Sequence, residues 1–126
     1  MSDMGTFRIN IEIENPVVPG RRSVRPSVLV DTGSGLSWVP IPILESLGIK
    51  RFKVSRFRRA NGTILERWVG SALIHAAGTL TIDDVVFGEP GDTVLLGART
   101  LGGLNLRVDP VAKQLVDAGP APAACS

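Results

Sequence analysis

The sequence predicts an all-β domain, and three observations predict it. Phe7, Ile9, Ile11 and Ile13 alternate with Arg8, Asn10, Glu12 and Glu14, the period of two of a strand with one buried face. Asn61-Gly62, the strongest short hairpin signal in the chain, lies between two strand-like arms, Phe52 to Ala60 and Thr63 to Val69. The 126 residues include 14 Gly and 9 Pro, the density of turn formers that many short strands require.

Taken in order, the first strand stops at Asn15-Pro16, and Pro19-Gly20 marks a turn that places the basic run Arg21 to Arg25 in or beside a loop. Val28-Leu29-Val30 is a short continuous apolar run, as expected of a strand buried on both faces. It ends at the polar, glycine-bearing turn Asp31-Thr32-Gly33-Ser34-Gly35, after which Trp38-Val39-Pro40 resumes extended structure. Pro42 to Leu47 reads as a short helix, with Pro in its first turn and Gly48 just past its end. The hairpin about Asn61-Gly62 follows, with a bulge expected at Gly70. Ser71 to His75 and Thr79 to Phe87 form a further strand pair turning at Ala76-Ala77-Gly78, and Glu89 to Asp92 is a turn. Val94-Leu95-Leu96 is a second apolar run stopped by a glycine, Gly97, and Ala98 to Gly102 reads as a short helix. Leu104 to Val108 and Gln114 to Val116 complete the strands. Residues 1–118 are expected to form one domain, and 119–126 a disordered Pro/Ala tail.

Composition narrows the function classes. At 44% hydrophobic and 21% charged, the chain has the balance of a globular domain. Cys125 is the single cysteine, so no internal disulfide is possible, and a reducing, cytoplasmic setting is the expectation. No run approaches the ~18 apolar residues of a membrane span, and Met1 to Gly5 lacks the basic-then-apolar pattern of a signal peptide. No membrane partner is expected. The net charge is +2, with Lys50, Arg51, Lys53, Arg56, Arg58 and Arg59 clustered along one hairpin arm. Phe52 and Phe57 interleave with these cations as a base-stacking surface would, yet the small net charge and the absence of a nucleic-acid motif favour a solvated strand face.

Counting residues removes most catalytic chemistries. His75 is the only histidine, and it lies in a strand pattern with no nucleophile motif beside it, so a histidine-based triad is not expected. The His and Cys ligands of a zinc site are missing from the sequence, and neither a metal nor a cofactor is expected. The carboxylates remain. Asp83-Asp84 reads as a solvated pair on a strand. Asp31 stands apart, because a charge at the end of a buried run costs several kcal/mol unless something solvates it. Gly33 lets the backbone fold tightly, so that amide N–H groups and the hydroxyls of Thr32 and Ser34 can point at the carboxylate.

Val28-Leu29-Val30-Asp31-Thr32-Gly33-Ser34 resembles the active-site signature of the aspartic proteases. Leu95-Leu96-Gly97, followed by the helix Ala98 to Gly102, is similar to the second signature of that family, and the hairpin about Asn61-Gly62 lies where the family carries its flap. The resemblance spans roughly residues 6 to 117 and, in length, is to the single-lobed retropepsin-like type, including its bacterial and archaeal members. It implies a single-lobe acid-protease β-barrel with a flap hairpin and one short C-terminal helix, working as a homodimer on a peptide or protein substrate. By the same resemblance Asp31 is the catalytic acid. Thr32 braces the two active-site loops across the dimer axis, Gly33 offers its amide to the carboxylate, and Ser34 bonds the outer carboxylate oxygen. Leu95, Leu96 and Gly97 support the loop, and Asn61 and Gly62 form the flap tip. Leu36, Trp38, Ile64 and Val85 are the expected substrate-binding walls. The flap departs from viral enzymes in lacking a multi-glycine tip and in its basic arm.

One aspartate is not enough for this chemistry, which needs one carboxylate to take a proton from water and another to give one to the peptide carbonyl. Two carboxylates ~3 Å apart repel by roughly 5 kcal/mol at an effective dielectric of about 20 and so share one proton, as in aspartic proteases generally. The chain has no second Asp-Thr-Gly, so the second Asp31 has to come from a second copy related by a two-fold axis. The rival reading is a catalytically silent dimerisation or peptide-binding module on the same fold.

Overall fold

The computed structural model describes residues 7–18 and 20–122. Met1 to Gly5, Pro19 and Cys125, each used in the sequence reading, lie outside them. The elements in chain order are β1 (Phe7–Glu14), β2 (Arg22–Asp31), β3 (Ser37–Pro40), α1 (Ile41–Ser46), β4 (Lys53–Arg58), β5 (Ile64–Ala76), β6 (Thr79–Gly88), β7 (Leu95–Gly97), α2 (Ala98–Leu104), β8 (Leu106–Asp109) and β9 (Gln114–Asp117). The described chain is mostly β, as expected, with two short helices. No helix among the described residues is long and apolar enough to cross a membrane.

Seven strands form one sheet in the order β1-β2-β7-β3-β6-β5-β4, and a further β1–β5 pairing brings it into a partly closed ring from which β4 projects. β2 and β7 run parallel, as do β3 and β6. The alternation in β1 buries Ile11 and Ile13, which meet Val28 and Val30 of β2, Ile74 of β5, Phe87 of β6 and Leu96 of β7 in one core. Leu101 and Leu104 of α2 close that core from the side. β8 and β9 form a separate two-stranded hairpin whose Leu106, Val108 and Leu115 pack against it.

The local reasons follow the sequence closely. α1 has Pro in its first turn, and Gly48 beyond its end takes φ +72. The β5–β6 turn places Ala77 and Gly78 at φ 50 and 82, the left-handed pair that matches the strand twist. α2 ends on Asn105 in the left-handed conformation, and the Asn105 amide group reaches Asp117 and the Gly119 carbonyl.

The basic run lies beside the turn and not in it: β2 starts at Arg22, whose guanidinium meets Glu12 at 3.2 Å and Glu14 at 3.3 Å across the ladder. Gly70 carries no bulge: β5 runs unbroken through it in register with β6, and a Cβ there would lie 2.5 Å from the Lys50 carbonyl oxygen, so the glycine serves close passage of another segment. The bulge lies instead between β1 and β2, where Pro26 and Ser27 face Asn10 and Ser27 takes φ 61. Of the expected tail, residues 123–126 lie outside the described residues, and at its start the Gly119 amide donates to Asp117 at 2.7 Å.

Candidate active site

Asp31 is the last residue of β2 and pairs with Gly97, the last of β7, in parallel register. Val28 and Val30 are fully buried, so the strand carries its carboxylate from the core to a half-buried position. The chain then turns at once. The Gly33 amide donates to Asp31 Oδ1 at 2.9 Å, and the Ser34 amide donates to the Asp31 carbonyl at 3.2 Å. Thr32 and Gly33 are exposed at the outer edge of this loop. The Ser34 hydroxyl does not reach the carboxylate as expected: it donates to the Leu36 carbonyl at 2.8 Å, a nearer acceptor within the same turn.

The second apolar run holds this loop from below. Leu96 is fully buried, and Leu95 pairs with both Leu29 and Trp38. Gly97 has to be glycine, because a Cβ would fall 2.5 Å from the Leu36 carbonyl oxygen and 2.9 Å from that of Gly35. The first amides of α2 clamp the loop from the other side: Ala98 donates to the Ser34 carbonyl at 2.8 Å and Arg99 to that of Gly35 at 3.0 Å.

Beneath the loop lies a buried polar relay that the sequence reading missed. The Gly97 amide donates to Ser37 Oγ at 2.9 Å, Ser37 Oγ and Thr100 Oγ1 are 2.6 Å apart, and Thr100 donates to Asp83 Oδ2 at 2.9 Å. Thr100 gives its one proton to the carboxylate, so the Ser37 hydroxyl donates to Thr100. Asp83 is therefore not a solvated carboxylate: it is 8% exposed and also meets Arg99 at 3.1 Å, while Asp84 meets Arg99 at 3.6 Å. An acidic residue at a buried-parity position of β6, matched by hydroxyls on two other elements, was the only signal available.

The hairpin of β4 and β5 stands beside the loop, with Asn61 and Gly62 in its turn. Gly62 takes φ 90, and Asn61 Oδ1 accepts from the Thr63 amide at 3.0 Å and hydroxyl at 2.7 Å. Phe57 pairs with Leu65 across the ladder, and the Phe57 ring packs edge-on against Trp38 of β3 at 5.0 Å. Arg67 anchors the same face, donating to Asp92 at 2.8 and 3.0 Å in a two-pronged ion pair. The Asp92 carboxyl is held below its ordinary range, chiefly by Arg67, and the Arg67 guanidinium is pushed up in turn, chiefly by its bonds to Asp92.

Two clefts open between hairpin and loop. One, of about 360 Å³, is lined by Gly33, Ser34, Leu36, Trp38, Phe57 and Arg58. The other, of about 350 Å³, continues past Trp38 and Phe57 to Leu65, Leu95 and Asp92. Leu36 and Trp38, two of the four expected substrate-binding residues, thus line a cleft beside the loop. Val85 does not: it is fully buried and belongs to the core, because β6 turns it inward against β3. Ile64 is also displaced. It pairs with Arg58 on the outer face of the hairpin, 40% exposed, and its neighbour Leu65 takes the cleft-facing position.

His75, far along β5, bonds Glu14 at 3.0 Å, as a strand histidine with a satisfied ring. No group of three or more possible metal-ligating side chains occurs among the described residues. Neither a scan against protein-family models nor a search of curated proteins finds a match to this chain. The geometry brings together a half-buried carboxylate, amide-bonded within a glycine turn, clamped by a second apolar-glycine segment and flanked by a hairpin-walled cleft.

Proposed function

We propose that this chain is an aspartic endopeptidase of the retropepsin-like type, acting as a homodimer in which each copy supplies one Asp31. The observation that carries the reading is the parallel pairing of two apolar strands that end together at Asp31 and Gly97, with the Gly33 amide on the carboxylate. A carboxylate so placed, with an exposed Thr32-Gly33 edge beside it, is suited to meet its own copy across a two-fold axis. One Asp31 takes a proton from water while the water oxygen bonds to the scissile carbonyl carbon. The other gives its proton to the carbonyl oxygen. The resulting diol collapses as the C–N bond breaks, and the amide nitrogen leaves with a proton, giving a free carboxyl and a free amine. The pathway calls for no metal or cofactor and forms no covalent enzyme intermediate. The hairpin serves as the flap that excludes water and holds the peptide extended, along walls that include Leu36 and Trp38. The lone cysteine supports a reducing, cytoplasmic setting.

The test is cleavage of a mixed peptide library at acid to neutral pH, read by mass spectrometry at a concentration that favours the dimer. The parent chain is expected to cleave, and Asp31→Asn to lose at least about a thousandfold in rate. Because the pair works with one proton between its two carboxylates, the rate is expected to fall on both sides of its optimum. The turning of the Ser34 hydroxyl toward Leu36 favours the second reading, a catalytically silent peptide-binding module. A folded dimer that cleaves nothing would establish that one.

A further inference from the structure

The cleft that runs from Trp38 and Phe57 to Asp92 has an unusual charge balance. Its walls are apolar, made by Phe57 and Leu65 of the hairpin and by Trp38 and Leu95 of β3 and β7, and Arg58 and Arg59 also line it. Asp92 is the only carboxylate among the lining residues, and it is already occupied: Arg67 holds it by two bonds, and it accepts the Glu89 amide at 2.8 Å. Arg58 and Arg59 form no ion pair among the described residues; Arg58 makes only a 3.4 Å bond to the Gly62 carbonyl.

Strand parity separates the two arginines. Arg58 shares the outer-face parity of Ile64, its partner across the ladder, and lines both clefts. Arg59 continues the ladder, its amide donating to the Thr63 carbonyl at 2.8 Å, and so shares the inward parity of Phe57. The field of Arg59 reaches Asp92 and adds, after Arg67, to what holds that carboxyl low. A cation between apolar walls attracts a carboxylate more strongly than one in open water, and the guanidinium fork matches a carboxylate in shape.

We infer that this cleft selects peptides with an aspartate or glutamate side chain, recognised by Arg59 and Arg58, both exposed and both lining it. This rests on the reading of the site as a peptide-binding one. A peptide fits better than a nucleic acid: the Trp38 and Phe57 rings pack edge to face at 61° and leave no parallel platform for bases, and the net charge is only +2.

The experiment uses one peptide with Glu, Gln or Lys placed at each position in turn. Binding is read by fluorescence anisotropy on the Asp31→Asn chain, and cleavage by mass spectrometry on the parent. At the favoured position Glu is expected to bind at least about fivefold more tightly than Gln, a ratio that shrinks as salt rises from about 0.05 M to about 0.5 M. Arg59→Gln should bring the ratio close to one, and Arg59→Glu should reverse the preference between the Glu and Lys peptides. Arg107→Gln removes the same charge from exposed β8, outside the cleft, and should keep the ratio. Equal binding of Glu and Gln peptides, or an unchanged ratio in Arg59→Gln, overturns the inference, as does displacement of the Glu peptide by a single-stranded oligonucleotide. Cleavage without charge preference would refute it and leave the protease reading standing. Arg59-dependent binding of Glu peptides with no cleavage at any pH would support it and refute the protease reading.

Discussion

Gly97 and Thr100 bear most of the demand for precision around Asp31. A methyl group on Gly97 would collide with the Leu36 carbonyl, and neither side yields easily: the Ser34 hydroxyl holds that carbonyl, the Gly97 amide is bonded to Ser37 Oγ, and the first amides of α2 hold the carbonyls of Ser34 and Gly35. Gly97→Ala is expected to destabilise the chain by about 2 kcal/mol or more, read from urea unfolding, and to displace the Asp31 loop. An unshifted midpoint would show that the loop is not pressed against β7. Thr100→Val keeps the shape but leaves the Ser37 hydroxyl without its acceptor and Asp83 without one donor. Its expected cost is about 1–3 kcal/mol, with recovery in Thr100→Ser, because the penalty belongs to the unpaired hydroxyl and carboxylate and not to lost volume. Asp31 and its glycine turn were legible because the conflict is local: a charge at the end of an apolar run needs nearby donors, and Gly33 supplies one. The relay was not legible, because Ser37 and Thr100 are 63 residues apart and meet only when β3 and α2 are brought together.

At the scale of elements, the β4–β5 hairpin depends on two anchors, the Arg67–Asp92 pair midway along its ladder and the Trp38–Phe57 ring contact nearer the Asn61-Gly62 turn. Beyond them the hairpin has few buried side chains, so its opening is controlled where it is anchored. Arg67→Met leaves Asp92 buried with the Glu89 amide as its main remaining donor, and is expected to cost about 2–3 kcal/mol. Hydrogen exchange should quicken most in residues 53–69, while the amides of β1 and β2 stay protected. Uniform quickening across the sheet would mean that the pair supports the whole fold and not the hairpin alone. The hairpin and its turn were readable from Asn61-Gly62 and the flanking arms. Its facing was not, because Ile64 and Leu65 are both apolar and adjacent, and alternation alone cannot decide which one points inward. The cross-strand register with Phe57 decides it.

For the whole molecule, two carboxylates tie distant strands together and set its response to acid. Glu14, in β1, accepts the Gly20 amide and bonds His75 of β5, and these contacts, the Gly20 bond foremost, hold its carboxyl below the ordinary 4.5. Asp92 is held below 3.8 chiefly by Arg67. Both groups bind protons less readily folded than unfolded, so their stabilisation is complete above those ordinary values and is lost as pH falls through the lower values of the folded chain. The urea midpoint is therefore expected to fall steadily from about pH 5 to about pH 3, and the slope should flatten in Glu14→Gln with Asp92→Asn. A slope unchanged in that double variant would assign the acid sensitivity to other groups. For an enzyme proposed to work in acid, this transition bounds the range in which its fold supports activity.

What the sequence determined by itself was the strand-rich class, the main turns, and the placement of Asp31 and Leu95-Leu96-Gly97 at the ends of apolar runs. These follow from the pleat and from glycine and proline geometry, which act over a few residues. Ring closure through β1–β5, the parallel meeting of β2 with β7, the burial of Val85 and Asp83, and the exchange of Ile64 for Leu65 at the cleft were decided only in the tertiary structure. Each depends on which strand lies beside which and on what the facing side chain is. An alternating pattern shows that a strand has two faces, and only its neighbours determine which of them looks onto the site.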